Sequence, residues 1–389
     1  MKKKTILFVH QSADLYGSDK ALLYLVQKLN KNLFSPIVVL PREGLLSVEL
    51  KKLNIKVIIT PVLNIHKKMF NFKELISFPF NFLKSIFKLN KELKGVKIDI
   101  VQSNTVVVIL GFVYARLKGI KHFWHIHEVL ENPKIAVKVF SRLVKVFSDF
   151  TIFNSKTTQE SFCKIQPKIK RKSVVIYNGL DREVEITTNK EIEELKKSLT
   201  FNSSDILLGL VGRINENKGH ALLLNAFKEL EKKQSNAKLL FIGSTVKGKE
   251  DVLETLEKQI ETLNLSAKVK IINFQTEIWK FWDIIDIAVV PSTIPESFGL
   301  VALEAMLSKK PVIASNLGAL KEVVEDNKTG LLFNVENVES LTIKMNLLLN
   351  DASLRNKYST EGFLRAKKIF TLEKYVNQFE LNYLKDSTI

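Results

Sequence analysis

Two glutamates, Glu296 and Glu304, are separated by seven residues in the stretch 291–318, which reads PSTIPESFGLVALEAMLSKKPVIASNLG. The apolar run before this stretch, Ile284–Ile285 and Ile287 to Val290, predicts a buried parallel strand, and a helix is expected from about Leu300 to Leu307. Backbone N–H groups at the start of such a helix face the carboxyl edge of the sheet, where α/β proteins bind ligands. The pattern favours a bound phosphate with hydroxyl groups on either side hydrogen-bonded to the two acids, which is the layout of a nucleotide sugar.

Each acid also has a purely structural explanation. A carboxylate near a helix N-terminus is stabilised by the helix dipole, so Glu296 could serve that purpose alone. Glu304 falls in the middle of the predicted helix, where the simplest expectation for a charged side chain is exposure to solvent. Only the combination of the two acids with the strand and the helix start favours the ligand site.

The same stretch carries a resemblance to a known family. ESFGLVALE resembles the E-x7-E motif of the retaining GT-B glycosyltransferases of glycosyltransferase family 4, and the following PVIAS, GALKEVVED and TGLLF resemble that family's next segment. The resemblance implies that Glu296 holds hydroxyls of the donor sugar and that Glu304 holds the ribose. It also implies that the donor is bound by the helix start: Ser297, Phe298, Gly299 and Leu300.

A second group of candidate residues follows the predicted strand Ile206 to Val211. The loop reads GRINENKG, and it resembles the family's phosphate clamp, in which Arg213 and Lys218 meet the donor diphosphate. Two cations at a strand's carboxyl end, beside a helix N-terminus, suit a leaving diphosphate. A surface loop with incidental charges is the alternative.

The N-terminal half supplies two weaker candidates. Gly17 lies in a polar loop between a predicted strand and a helix, and it resembles the loop glycine that the family places near the donor diphosphate. FWHIH ends another predicted strand, and His127 aligns with the family histidine beside the donor sugar, while His125 is one pleat earlier on the same face. Single histidines at strand ends are often structural, and no third ligand stands at a convincing spacing for a metal.

These residues need two sheets to position them. The chain has 389 residues, which is long for one core, and buried strand patterns alternate with helical ones in both halves. We therefore predict an α/β protein of GT-B architecture, with two Rossmann-like doubly wound domains facing across a cleft. The predicted domains are 1–183 for the acceptor, 184–370 for the nucleotide sugar, and a C-terminal helix, 371–389, that crosses back to the first domain.

Composition excludes several classes of protein. Cys163 is the only cysteine, so an intrachain disulfide and a cysteine-rich zinc site are excluded. No apolar run reaches the ~18 residues of a membrane span, and the apolar stretch after Met1 is too short for a signal peptide. The net charge is +18, but nucleic acid is not the expected partner, because no zinc finger or RNP-like strand is present.

The segment 66–94 favours a membrane surface as a partner. After Pro79, a helical wheel places six apolar side chains in one wide arc, with Lys84, Lys88 and Lys91 opposite; the apolar residues are Phe82, Leu83, Ile86, Phe87, Leu89 and Leu93. Lys67, Lys68 and three phenylalanines, Phe70, Phe72 and Phe78, precede this helix. A basic amphipathic helix with aromatic residues is typical of membrane-surface elements, although a core-facing helix with a solvated lysine face is the common alternative. The expected location is cytoplasmic, at the inner face of the plasma membrane.

The resemblance implies a retaining, metal-independent transfer of a hexose from a nucleoside-diphosphate sugar to a saccharide acceptor. The acceptor is expected to be lipid-linked, as in the synthesis of a surface polysaccharide such as capsule or O-antigen. His127, Glu296, Arg213 and Lys218 are the expected catalytic residues. No D-x-D pair is placed to hold a cation, and we expect neither a metal nor a cofactor. A nucleotide-sugar hydrolase or epimerase, and an inactive membrane-associated scaffold, are the alternatives.

Overall fold

The structure is a computed structural model that describes residues 3–63, 72–131, 133–231, 236–246 and 248–385. The chain divides into two compact units. The first unit comprises Met1–Gly179 together with Leu372–Ile389, and the second comprises Leu180–Thr371. The division falls slightly before the predicted boundary at 183/184, because Arg182 is anchored in the second unit by a two-pronged ion pair with Asp283, with both N···O distances 2.7 Å.

The elements alternate between strands and helices along most of the chain. Those between residues 1 and 179 are β1 (Lys4–His10), α1 (Gly17–Lys28), β2 (Phe34–Leu40), α2 (Leu45–Lys52), β3 (Lys56–Ile59), α3 (Phe72–Glu92), β4 (Ile100–Asn104), α4 (Ile109–Lys118), β5 (Lys121–Ile126), α5 (Lys134–Phe147), β6 (Phe150–Phe153), α6 (Lys156–Cys163) and β7 (Ser173–Val175). Those of the second unit are α7 (Asn189–Ser198), β8 (Ile206–Val211), α8 (His220–Leu230), β9 (Ala237–Ile242), α9 (Glu250–Thr262), β10 (Val269–Ile272), α10 (Ile278–Ile284), β11 (Ile287–Val290), α11 (Leu300–Leu307), β12 (Val312–Ser315), α12 (Leu320–Val323), β13 (Leu331–Phe333), α13 (Val338–Asn350) and α14 (Ala352–Ile369). The last helix, α15 (Leu372–Lys385), belongs to the first unit.

Both units are built on a parallel sheet, as predicted. Within the described residues the first sheet has the strand order β3-β2-β1-β4-β5-β6-β7, and the second has the order β10-β9-β8-β11-β12-β13. The order reverses between β1 and β4 in the first sheet and between β8 and β11 in the second. Ligands of doubly wound sheets bind beyond the carboxyl ends of the strands at such reversals. The α/β prediction is therefore confirmed.

The first strand shows why the sheet is covered on both faces. In β1 every side chain from Ile6 to Val9 is fully buried, so the strand is a continuous apolar run rather than an alternating one. Ile6 and Phe8 pack on one face, in a core that also contains residues of α1 and α15, and Leu7 and Val9 pack on the other, in a core with residues of α3 and α4. Helix α15 is held to the first unit partly by the Tyr375 hydroxyl, which donates to the Ala21 carbonyl at 3.2 Å.

Helix α3 differs from its prediction in two respects. It begins at Phe72 and continues through Pro79, whereas the predicted helix started after this proline. Its apolar arc is also divided between two environments. Leu89 and Leu93 are buried in the core, with Phe82 and Ile86 packed against it, while Phe80, Leu83 and Phe87 are 72%, 64% and 72% exposed. The apolar arc predicted from the sequence therefore covers two surfaces of the helix, one that packs on the core and one that faces solvent. The predicted contributions of Lys67, Lys68 and Phe70 lie outside the described residues, as do the side chains of Phe72 and Phe78.

Buried neutral histidines should make the first unit sensitive to acid. Burial lowers the pKa of His122 to about 3 and that of His125 well below its usual value. The unfolded chain takes up protons below the ordinary histidine pKa of about 6.5, and the folded unit does not. Stability is therefore complete above about pH 6.5 and decreases as the pH falls towards the folded-state values. Between pH 7.5 and 5.5 these two residues should cost about 3 kcal/mol of unfolding free energy.

Hydrogen exchange of first-unit peptides, corrected for intrinsic rates, measures this loss at the two pH values. The matched variant is His122→Gln, because glutamine can replace the two hydrogen bonds of His122 without titrating. These bonds join the ring to the Phe147 carbonyl at 3.1 Å and to the Ser103 hydroxyl at 2.9 Å. Between the two pH values the variant should lose about 1.4 kcal/mol less than the wild type, which is the contribution of one such histidine. An unchanged pH dependence would contradict the assignment.

Candidate active site

The loop between β8 and α8 presents Lys218 on a short, capped turn. Asn215 precedes the 3-10 turn Glu216–Lys218, and its side-chain oxygen accepts hydrogen bonds from the N–H groups of Asn217 and Lys218, both at 3.1 Å. Gly219 then has a φ of +73° and begins the helix. Its lack of a side chain is required, because a Cβ atom would lie 2.0 Å from the Pro291 carbonyl oxygen.

This turn contacts the loop between β11 and α11. The N–H of Thr293 donates to the Asn217 carbonyl at 2.9 Å. The ammonium Nζ of Lys218 lies 2.5 Å from Oε1 of Glu296, and the Ser292 hydroxyl donates to the same oxygen at 2.5 Å. Two predicted site residues that are far apart in sequence are thus brought into direct contact at the carboxyl edge of the second sheet.

The environment of Glu296 keeps it ionised. Burial by itself raises the pKa of this carboxyl, but the Lys218 ammonium and the hydrogen bonds from Lys218 and Ser292 have the larger combined effect, and the pKa is lowered. The side chains of Lys218 and Glu296 remain 28% and 17% exposed. The pair is therefore charged and accessible, and it can exchange its mutual contact for contacts with a ligand.

Glu304 is buried, and the expectation of a solvent-exposed position in mid-helix is wrong. Glu304 is 4% exposed in α11, and the indole N–H of Trp282 donates to its Oε2 at 3.3 Å. Trp282 is itself fully buried at the end of α10. This burial excludes a role for Glu304 on the solvated surface of the helix.

The other predicted donor-binding residues surround the same edge of the sheet. Arg213 follows β8 and is half-buried. Gly299 precedes α11 with a φ of +101°, and Leu300 is the first residue of the helix. The Phe298 side chain is 2% exposed and packs edge-on against Phe370, with ring centroids 5.6 Å apart, so only its backbone faces the loop. Ser297 lies between this phenylalanine and Glu296 and is half-buried.

The first unit contains the remaining two predicted residues. Gly17 is the first residue of α1. His127 is half-buried directly after β5, and its Nε2 lies 3.1 Å from Nδ1 of His125. Burial lowers the pKa of His127 to about 3, so its ring is neutral at physiological pH. The neighbouring Glu128 binds backbone groups: its Oε2 accepts the N–H groups of Val106 and His127, at 3.0 and 3.1 Å.

Sequence reasoning missed a buried pair at the carboxyl end of β1. His10 Nε2 lies 2.6 Å from Oδ1 of Asp19 in the first turn of α1, and both residues are at most 1% exposed. The other carboxylate oxygen accepts the Ser12 hydroxyl and the Tyr16 N–H. Burial raises the pKa of Asp19, and His10 and these donors lower it by more, so it stays ionised. A histidine that ends a buried strand, followed by an acid at the start of a helix, was the available signal.

Within the described ranges, no group of three or more histidine, cysteine or acidic side chains is arranged to hold a metal ion. The same ranges contain no helix long and apolar enough to cross a bilayer.

Two family models match the chain. Residues 17–184 match the model described as Glycosyltransferase Family 4, and residues 191–365 match the model described as Glycosyl transferases group 1. The two matches account for most of both units.

Individual relatives are glycosyltransferases by name. An uncharacterized glycosyltransferase of Methanocaldococcus jannaschii is 29% identical over 306 residues, which is 76% of this chain and 78% of the relative. The capsular polysaccharide biosynthesis glycosyltransferase CapM of Staphylococcus aureus is 30% identical over 218 residues, 54% of each chain. A Campylobacter jejuni enzyme is 28% identical over 224 residues, 57% of this chain and 56% of the relative; it is named N-acetylgalactosamine-N,N'-diacetylbacillosaminyl-diphospho-undecaprenol 4-alpha-N-acetylgalactosaminyltransferase. The matched stretch thus spans only about half the length of the last two relatives.

Among solved structures, HepE of Anabaena in complex with UDP and glucose is similar with a TM-score of 0.86 and 22% identity, covering 98% of this chain and 100% of that one. At this identity the similarity shows the fold alone. The two family matches and this fold agree with the resemblance carried by the E-x7-E stretch. The chain belongs to the family 4 glycosyltransferases and is a glycosyltransferase of the GT-B fold.

Proposed function

We propose that this enzyme transfers a hexose from a nucleoside-diphosphate sugar to a saccharide acceptor, with retention of the anomeric configuration and without a metal. The observation that supports this most directly is the Lys218–Glu296 pair at the sheet reversal of the second unit. A cation and an anion held 2.5 Å apart can turn to a diphosphate and a sugar hydroxyl, respectively, when a donor enters.

The chemistry requires stabilisation of a departing diphosphate and of an oxocarbenium-like sugar. Fixed charges and N–H dipoles supply that stabilisation at the point where charge develops. In this proposal Arg213 and Lys218 neutralise the leaving diphosphate, Glu296 holds hydroxyls of the donor sugar and Glu304 holds the ribose. His127 contacts the reacting sugar. The leaving phosphate assists removal of the acceptor proton on the same face of the sugar, so no protein nucleophile is required.

The proposed acceptor is a lipid-linked saccharide in the synthesis of a surface polysaccharide. The names of two relatives support this class, since one acts in capsular polysaccharide biosynthesis and the other on a diphospho-undecaprenol saccharide. An enzyme with such an acceptor works at a membrane surface, and we place this one at the inner face of the plasma membrane.

The exposed apolar side chains of two helices support the membrane contact. Phe80, Leu83 and Phe87 recur at the spacing of one helix face in α3, and Lys84 is exposed between them. Helix α5 presents a similar exposed face, consisting of Ile135, Lys138, Val139, Arg142 and Val146. Apolar and basic side chains combined on one helix face match the chemistry of an anionic lipid surface.

Polar substitution of the α3 face should weaken membrane binding. We expect the triple variant Phe80→Ser, Leu83→Ser, Phe87→Ser to bind phosphatidylglycerol vesicles at least about tenfold less tightly, because each buried apolar side chain contributes up to about 2 kcal/mol. Vesicle sedimentation measures the change. The matched control replaces three exposed apolar residues of the second unit by serine: Ile343, Leu347 and Leu364. Equal binding by the α3 variant and the wild type would contradict the proposal.

The donor is tested by thermal shift with a panel of UDP-, GDP- and dTDP-sugars. One of these sugars should raise the melting temperature of the wild type, and Glu304→Gln should abolish that increase while the protein without ligand remains folded. The absence of any shift in folded protein would favour an inactive scaffold.

Products are then analysed with and without a lipid-linked acceptor, and with EDTA. Release of free sugar regardless of acceptor would identify a hydrolase, and loss of transfer in EDTA would contradict metal independence.

A further inference from the structure

Three buried polar residues form a row across adjacent strands of the first sheet. His10 in β1 is the register partner of Asn104 in β4, and Asn104 is the register partner of His125 in β5. Register partners in parallel strands point to the same face of the sheet. All three residues are at most 1% exposed, so the row is closed to bulk solvent.

Each member of the row has one side-chain nitrogen that finds no hydrogen-bond partner among the described residues. These nitrogens are His10 Nδ1, Asn104 Nδ2 and His125 Nε2. A buried polar atom without a partner costs about 1–3 kcal/mol, and almost all such atoms in folded proteins are paired with protein or ordered water. Three unpaired atoms on one face of three neighbouring strands therefore indicate a shared polar partner.

The other polar atoms of the row form hydrogen bonds within the protein. Their partners determine whether each unpaired nitrogen is a donor or an acceptor. The Tyr383 hydroxyl donates to Gln102 Oε1 at 2.6 Å, and Gln102 Nε2 donates to Asn104 Oδ1 at 2.8 Å. Burial raises the pKa of Tyr383 well above its usual value, so the phenol keeps its proton. This chain of bonds fixes the Asn104 amide, whose Nδ2 remains as a donor.

The first histidine of the row is oriented by Asp19. Its carboxylate is ionised and can only accept, so His10 Nε2 carries the proton and donates at 2.6 Å. In the tautomer with its proton on Nε2, His10 Nδ1 is an acceptor. At the other end, burial keeps His125 and His127 neutral, and the two rings share one hydrogen bond between His125 Nδ1 and His127 Nε2.

We propose that the row binds one buried water molecule, which accepts from Asn104 Nδ2 and donates to His10 Nδ1 and to His125 Nε2. A water has two protons to donate, and the row offers two ring nitrogens as acceptors and one amide as donor, so every atom is satisfied. His125 then carries its proton on Nδ1 and donates to His127 Nε2. His127 in turn carries its proton on Nδ1.

The consequence for the enzyme rests on the proposed function. In that proposal His127 contacts the reacting sugar, and this tautomer gives its Nδ1 an N–H donor rather than a basic lone pair for the contact. Asn104 is a positioning residue in this arrangement, because it acts on the sugar only through the water, His125 and His127. The first unit thus selects the tautomer of the histidine that contacts the substrate.

The tautomers are measured by long-range ¹H–¹⁵N correlation spectra of the full chain labelled in histidine, without any substrate. We expect the proton on Nδ1 in His127 and His125, and on Nε2 in His10. His122 is the internal reference, since its Nδ1 must donate to the Phe147 carbonyl. A His127 proton on Nε2 in the wild type would overturn the proposal. Because no substrate is present, this result is independent of whether transfer is observed.

Asn104→Leu removes the amide donor. We expect His127 to populate both tautomers in this variant, and transfer to fall about tenfold, the effect of one lost hydrogen bond. Asn154→Leu is the matched control, because Asn154 is also a buried asparagine at this edge of the sheet and should leave the His127 tautomer unchanged. An unchanged His122 signal shows that each variant is folded.

A crystal structure should show one water oxygen in contact with all three nitrogens. Direct contacts among the nitrogens, without that oxygen, would overturn the proposal.

Discussion

Replacing Lys218 by alanine should reduce sugar transfer about 100- to 1000-fold, the usual effect of removing one group that stabilises transition-state charge. Lys218 is the cation that lies 2.5 Å from Glu296, on a turn whose two N–H groups are capped by Asn215. Its loss would leave the leaving diphosphate with one cation fewer. Initial rates with the donor identified by thermal shift measure the effect, and Lys218→Arg should recover part of the rate because it restores the charge.

The same variant should shift the acid limb of the pH–rate profile. In the wild type, the ammonium and two hydrogen bonds lower the pKa of Glu296 against the opposing effect of burial. Without Lys218, only the Ser292 hydrogen bond opposes the effect of burial on the pKa of Glu296. Glu296 therefore takes up a proton at a higher pH, and the acid limb of the profile moves to higher pH. Lys228→Ala is the control, because it removes a lysine paired with Glu231 at 3.1 Å on α8, outside the site. Equal rates for Lys218→Ala and Lys228→Ala would remove Lys218 from the mechanism.

Gly219→Ala should destabilise the second unit by about 4 kcal/mol. A Cβ atom at this position would lie 2.0 Å from the Pro291 carbonyl oxygen, which belongs to the neighbouring loop and cannot rotate away as a flexible side chain can. Forced overpacking costs about 1–3 kcal/mol, and the left-handed backbone adds about 1–2 kcal/mol for a residue with a side chain. Denaturant unfolding followed by the fluorescence of Trp279 and Trp282 measures the loss.

Gly248→Ala separates the two causes of this loss. Gly248 has a φ of +82°, similar to the +73° of Gly219, but apart from its chain neighbours no atom of the described residues lies within 4 Å of the place where its Cβ would be. We expect this variant to lose about 1 kcal/mol of unfolding free energy, which measures the cost of the left-handed backbone alone. If both variants lose the same stability, close approach of the two loops does not contribute. Activity of any folded Gly219→Ala protein should also fall, because the displaced turn carries Lys218.

The sequence by itself predicted most of the strands and helices and proposed the residues of the second-unit site, because both depend on local signals. Continuous apolar runs predicted buried parallel strands, and the helix Leu300–Leu307 is found with the predicted bounds. The strand before it is Ile287–Val290, shorter than predicted, because Ile284 ends helix α10 and Ile285 caps that helix. The acids of the E-x7-E stretch and the two cations of the GRINENKG loop were proposed as site residues from residue type, spacing and family resemblance. Local patterns could not show whether an apolar helix face meets the core or solvent, and α3 does both.

Only the tertiary structure determined which of these residues touch. Lys218 and Glu296 meet because the strand order reverses between β8 and β11, which places two distant loops side by side. Glu304 is buried because α10 places Trp282 against it, which its own helix does not reveal. The row of His10, Asn104 and His125 exists only through the register of β1 with β4 and of β4 with β5, and β1 is far from the other two strands in the chain. Strand register and helix packing join residues that are distant in sequence, so no short pattern records them.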